Sequence, residues 1–170
     1  MKVVSKQNNS NMCLICGINN KFGVKASFYN MEDGSVGGLF TFLPEHQSYP
    51  DRVHGGMIST MIDELAGRAL WVTRPDKIAV TIDLSVKYRK PVPYGVRLIG
   101  KGVITEMLSR AYTAKCAIMD SDGNVLADGT ARYFMIPVDK ISDAPIDDEI
   151  NIFVPDDVKE IDFGDKWRIG

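Results

Sequence analysis

The chain has 170 residues, enough to bury one sizeable core, and 45% of them are apolar and 25% charged, the composition of an ordinary globular domain. No apolar run reaches the ~20 residues a membrane-spanning helix needs; the polar opening lacks the apolar core of a secretory signal, and three cysteines make no disulfide framework, so a reducing cytoplasm is the expected setting. The net charge of −2 divides unevenly, with ten acidic and four basic residues from Asp139 to Gly170 against twelve and sixteen before it; that mild basic excess suits a polyanionic small ligand and is too weak for nucleic acid.

In chain order, residues 1 to about 20 are polar and Asn-rich and read as an arm that packs late or not at all. The main domain is expected over 21–138, with an acidic tail over 139–170 that wraps the surface or a partner subunit. Lys21 to Asn30 and Ser35 to Leu43 have β character and flank the turn Met31-Glu32-Asp33-Gly34. From Gly55 to about Val72, the residues Ile58, Ile62, Leu65, Ala69 and Val72 recur at helical spacing, and Pro75 lies beyond the helix end. Ile78 to Arg89 alternates with period two, which puts Ile78, Val80, Ile82, Leu84, Val86 and Tyr88 on one face. Val96 to Met107, Ser109 to Met119 and Asn124 to Ile136 read as three more strands, the last two joined by the turn Asp120-Ser121-Asp122-Gly123. This order predicts an α+β fold, one long helix laid across a curved antiparallel sheet whose last four strands form a meander.

At about 100° per residue, Gly56, Ser59, Thr60 and Gly67 share the helix face of Asp63, roughly opposite the apolar stripe. Long charged side chains are the usual covering of an exposed helix, so this small-residue face predicts a subunit interface or ligand pocket. Glu64 is set apart from Asp63 by the helical turn and has Arg68 four residues on, the favourable order for a surface ion pair. His54-Gly55-Gly56 precedes the helix, where glycines admit close approach and free N–H groups stabilise negative charge.

Tyr49-Pro-Asp-Arg-Val-His-Gly-Gly56, with Asp63 nine residues after His54, resembles the hotdog-fold thioesterase superfamily, in particular its phenylacetyl-CoA thioesterase-like (PaaI-like) branch. Thr81-Ile-Asp-Leu-Ser-Val-Lys-Tyr-Arg-Lys-Pro-Val-Pro93 resembles that family's second signature. Cys13-x-x-Cys16-Gly17, Asn20 and Gly23 are similar to an element of some members. The resemblance spans roughly residues 13 to 137 and implies hydrolysis of an acyl- or aryl-CoA thioester. It casts Asp63 as general base or nucleophile, Gly55 as the N–H that polarises the carbonyl, Thr81 as a water-orienting hydroxyl and His54 as a loop-positioning residue. A family amide just upstream is matched by Gln47. Gly56 would admit the substrate, and Arg89 and Lys90, with Arg52 behind them, would meet coenzyme A phosphates. The implied assembly is a homodimer or dimer of dimers with sites at the subunit interface, acting without cofactor or membrane.

Other readings compete. Cys13-x-x-Cys16 invites zinc, but structural zinc usually takes four protein ligands; only Cys116, His46 and His54 remain, so no metal is expected, and a redox pair is no better supported because no βαβ context surrounds it. A non-catalytic acyl-CoA-binding or regulatory hotdog module would lose the acid or carry a DNA-binding domain. This chain has Asp63 and no room for such a domain, and it lacks the Asp-x₄-His spacing of a hotdog hydratase.

Overall fold

The computed structural model describes residues 1–137, 140–143 and 146–168. Among the described residues, nine strands and two α-helices follow in chain order: β1 (Val3–Lys6), β2 (Ser27–Met31), β3 (Val36–Thr41), β4 (Gln47–Tyr49), β5 (Arg52–Val53), α1 (Gly55–Trp71), β6 (Ile78–Tyr88), β7 (Arg97–Met107), β8 (Ala111–Met119), β9 (Val125–Ile136) and the short α2 (Asp147–Ile150). Seven strands make one sheet in the order β1-β2-β3-β7-β8-β9-β6, and β4 and β5 pair apart from it. Every pairing is antiparallel. The helix lies across the inner face, with Ile58, Met61, Ile62, Leu65, Ala66 and Leu70 all at most 4% exposed. This is the helix-and-sheet arrangement of a hotdog fold.

Three expectations need correction. The last four strands are not a simple meander, because β6 pairs with β9 at the far edge while β7 pairs with β3. Alternation establishes that a strand exists but not its neighbour, and the Arg89–Val96 connection, with Pro91 and Pro93, is not a two-residue hairpin. The opening residues are no loose arm, since β1 pairs with β2 and the Val3 N–H donates to the Lys159 carbonyl at 2.8 Å. The tail covers the sheet's own outer face, where Ile161 and Phe163 pack on Tyr29, Met31, Ala117 and Met119. Asp156 pins it by accepting from Lys6 Nζ and Tyr29 OH, each at 2.7 Å. The boundary placed between residues 138 and 139 lies outside the described residues.

The third correction concerns β6. A bulge at Ile82 shifts the register, so Thr81 pairs with Tyr133 but Asp83 pairs with Arg132. One extra residue reverses the alternation. Ala79 packs on the helix-side core before the bulge, as Leu84 and Val86 do after it. Val80 and Ile82 are left 39% and 55% exposed on this edge strand.

Close seating of α1 depends on glycines beneath it. A Cβ at Gly102 would stand 2.7 Å from the Leu65 carbonyl oxygen and 3.0 Å from Val36 Cγ1, and backbone cannot swing aside as a side chain can. Gly102→Ala is expected to destabilise the fold by about 1–3 kcal/mol, the usual cost of overpacking. A thermal melt indistinguishable from the parent's would show that the helix rides higher than this.

Candidate active site

Asp63 sits in the middle of α1 on its partly exposed side. Thr81 Oγ1 donates to its Oδ1 at 2.8 Å, and Tyr133 OH donates to the same oxygen at 2.6 Å while also reaching the Asp63 carbonyl at 2.6 Å. Oδ2 has no hydrogen bond among the described residues. The carboxylate is therefore held by one oxygen and offers the other. The bulge at Ile82 makes this possible, because it places Thr81 on the helix side together with Leu84 and Val86.

Tyr133 has no counterpart in the sequence reading. It lies opposite Tyr112 in the β8–β9 ladder, and the two rings stack with centroids 4.9 Å apart and planes 8° from parallel. Burial, and after it the Asp63 carboxylate, push its phenol well above the ordinary tyrosine range, so it stays a neutral donor. The available signal was a tyrosine within an apolar strand, since a buried phenol needs a hydrogen-bond partner.

A pocket of about 300 Å³ opens beside Asp63, lined among others by Cys13, Gly67, Trp71, Ala79, Thr81 and Tyr133. Further along the same face, Ser59 Oγ lies 2.6 Å from Tyr88 OH, and Thr60 Oγ1 donates to the Gly56 carbonyl at 2.8 Å.

At the start of α1, His54 is the N-cap, and its Nδ1 accepts from the Gly56 N–H at 2.9 Å. A Cβ at Gly56 would come within 3.0 Å of that nitrogen, so this glycine makes room for the histidine cap. Gly56 thus spends its N–H on His54, whereas Gly55 opens a second concavity of about 460 Å³ with Arg52, Ile58, Tyr88, Arg89 and Lys90. The three expected phosphate-binding cations therefore do converge around Gly55. Arg89, however, is already held by Asp128 in a two-pronged ion pair.

Gly55 and Asp63 are eight residues apart on one helix, ~12 Å along its axis at 1.5 Å per residue. One chain cannot apply both to a single carbonyl group. Gln47 is exposed on the β4–β5 hairpin, and among the described residues no hydrogen bond connects it with Asp63. His46 is buried, with Nδ1 accepting from the Leu43 N–H at 3.0 Å and Nε2 2.7 Å from the Phe22 carbonyl, a structural role.

Glu64 pairs with Arg68 at 2.8 Å, as its spacing foretold. The pair is not the surface bridge expected, because Arg68 is only 4% exposed. Its guanidinium lies between the rings of Phe28 and Trp71, 4.9 and 4.6 Å from their centroids, and also bonds the Asn8 carbonyl and Cys16 Sγ, each at 2.7 Å.

Comparison with known proteins points to the same fold. The thioesterase superfamily profile matches residues 51–127, a span that includes Gly55, Asp63 and Thr81. The chain is 29% identical over 116 residues to acyl-coenzyme A thioesterase THEM4 of Rattus norvegicus, covering 68% of this chain and 49% of that one. It is 31% identical over 94 residues to a putative esterase of Caenorhabditis elegans, covering 55% and 56%. The chain thus spans about half the length of the curated relatives it matches. Among solved structures, a thioesterase superfamily protein superposes with a TM-score of 0.67 at 27% identity, over 73% of this chain and 63% of that one. A hypothetical thioesterase from Streptococcus pneumoniae, solved with coenzyme A, shares the fold at a TM-score of 0.60 and 20% identity, over 66% and 89%. The helix-borne acid, the glycine-led helix start and the strand hydroxyl all lie in residues 51–127, the region that matches the thioesterase superfamily.

Proposed function

We propose that the protein is an acyl-CoA thioesterase of the phenylacetyl-CoA thioesterase-like branch, hydrolysing an acyl- or aryl-CoA thioester to free acid and coenzyme A in the cytoplasm. The observation that carries this reading is the Asp63 carboxylate, fixed through Oδ1 by Thr81 and Tyr133, with no hydrogen bond to Oδ2 among the described residues and with Asp63 lining a pocket. As general base, Oδ2 takes a proton from water as that water attacks the thioester carbonyl. As nucleophile, it attacks the carbonyl itself and the resulting anhydride is hydrolysed. In either route the carbonyl oxygen gains charge, an N–H at a helix start stabilises it, and the thiolate leaves. Arg52 and Lys90 then suit the coenzyme A phosphates better than Arg89, which Asp128 already occupies. The test is release of free thiol across a panel of acyl- and aryl-CoA substrates, and a chain that binds them without turnover would instead be a binding module.

The ~12 Å between Gly55 and Asp63 supports a composite site, in which the Gly55 N–H of one subunit meets the Asp63 of another. An edge strand with exposed Val80 and Ile82, next to an uncovered small-residue helix face, favours such pairing. Light scattering is expected to show at least a dimer at micromolar concentration. A stable monomer that retains turnover would remove the composite site.

Thr81→Ala and Tyr133→Phe each delete one of the two donors to Oδ1. Either is expected to lower turnover by about tenfold, the equivalent of one positioning hydrogen bond. Unchanged turnover in both would mean that the carboxylate needs no clamp.

A further inference from the structure

The wall of the Asp63 pocket carries a second reactive cluster. Cys13 and Glu64 line the pocket, and the Sγ atoms of Cys13 and Cys16 and a Glu64 carboxylate oxygen lie within 4.8 Å of one another. Cys13 to Gly17 forms a single turn closed by the Gly17 N–H on the Cys13 carbonyl at 2.9 Å. Within that turn the N–H groups of Ile15 and Cys16 lie 3.3 and 3.5 Å from Cys13 Sγ. Cys13 is half-buried and faces the pocket, whereas Cys16 is 1% exposed behind it, with the Arg68 guanidinium 2.7 Å from its sulfur.

We propose that Cys13 and Cys16 form a thiol–disulfide exchange site, in which Cys13 attacks the disulfide of a small thiol entering the Asp63 pocket and Cys16 resolves the adduct. The accessible cysteine is the one whose sulfur the backbone N–H groups favour as thiolate. The partner is close enough to complete the exchange and too deep to be attacked first. The hydrogen bond from Cys16 and those N–H groups bring the Cys13 thiol down to about 7, outweighing burial and the Glu64 charge. The same hydrogen bond, and then burial, push Cys16 up. Cys16 and Glu64 are the titratable groups acting on Cys13, and Arg68 stands behind both. A divalent metal fits the cluster less well, because among the described residues it offers three ligands and a buried guanidinium occupies one of them. Cys116 is fully buried in β8, and burial pushes its thiol far up, which leaves it unreactive.

The exchange balances in two steps. The Cys13 thiolate attacks one sulfur of RS–SR, that bond breaks, and RS⁻ leaves and takes up a proton. Cys16 then loses its proton, helped by Arg68, and its sulfur attacks Cys13 Sγ to expel the second RS⁻. The two cysteines are oxidised to a disulfide, and the two electrons and two protons they lose reduce RS–SR to two RSH.

The reduced full-length chain is treated with oxidised glutathione and followed by intact mass and thiol count. The parent is expected to lose two hydrogens, Cys16→Ser to gain a single glutathione, and Cys13→Ser to do neither. Alkylation of Cys13 in the parent should rise about tenfold per pH unit below ~7 and level off above it, as thiolate reactivity does. An inert parent, a parent stalled at the glutathione adduct, equal reaction of Cys13→Ser, or one zinc per purified chain released by Cys13→Ser would each overturn the proposal. The parent's own mass and alkylation profile decide the matter even if a variant fails to fold, and neither depends on thioester hydrolysis.

Discussion

Asp63→Asn is expected to cut turnover by roughly 10²-fold or more, the usual scale for loss of a general base, while leaving the melting temperature close to the parent's. The amide oxygen can still accept from Thr81 Oγ1 and Tyr133 OH, so the clamp survives. The free atom then becomes an NH₂ group, which neither takes a proton from water nor attacks a carbonyl. Glu64→Gln is the informative neighbour. Its carboxylate faces Arg68 and Cys13, and it is expected to leave turnover nearly unchanged. Its stability cost is larger than the few tenths of a kcal/mol of an exposed helix pair, because Arg68 is buried and would keep only a neutral acceptor there. A loss of about 1–2 kcal/mol is expected, below the full cost of breaking a buried pair, since the amide oxygen can still accept. Steady-state hydrolysis and thermal melts on the same preparations separate the two. If Glu64→Gln were the dead enzyme, the catalytic assignment on α1 would be wrong. If both stayed active, the carboxylate mechanism would be.

Arg68→Ala should give the largest loss of stability, about 3–5 kcal/mol, the scale for removing one member of a buried ion pair. In a domain of this size that lowers the melting temperature by about 2–4 °C per kcal/mol. Three losses coincide. Glu64 loses its partner, the Asn8 carbonyl loses its guanidinium donor, and a cavity opens between Phe28 and Trp71. Burial works against the charge on Arg68, but the Glu64 carboxylate and the Cys16 sulfur more than restore it, so the guanidinium is held even more firmly charged than usual. Arg68→Lys should recover part of the loss, because an ammonium keeps the charge but cannot reach Glu64, Asn8 and Cys16 with one planar fork. A melt within about 1 kcal/mol of the parent's for Arg68→Ala would mean that water replaces the guanidinium at little cost.

Elements with a strong period were legible in the sequence. The α1 stripe repeats over four turns, because burial on one face imposes that pattern locally, and the alternation of Ile78 to Arg89 marked a strand. The face of Asp63 followed from the helical turn alone, and so did the pairing of Glu64 with Arg68. The family resemblance, and not periodicity, singled out Gly55 and Thr81. Depth, strand partners and cross-strand contacts were not legible, since each depends on residues distant in sequence. Four spaced residues on a helix do not reveal that Phe28 of β2, Trp71 and the segment from Asn8 to Cys16 enclose Arg68. Strict alternation conceals a bulge, and only the β6–β9 register shows that Ile82 is the extra residue that turns Thr81 toward Asp63. Tyr133, seventy residues from Asp63, reaches it because β9 lies beside β6. The sequence by itself determined the helix, the alternating strands and the acid on the helix's small-residue face. Tertiary structure decided which hydroxyls hold that acid and how far it stands from Gly55, because hydrogen-bond partners are set by strand order and register, which local periodicity does not encode.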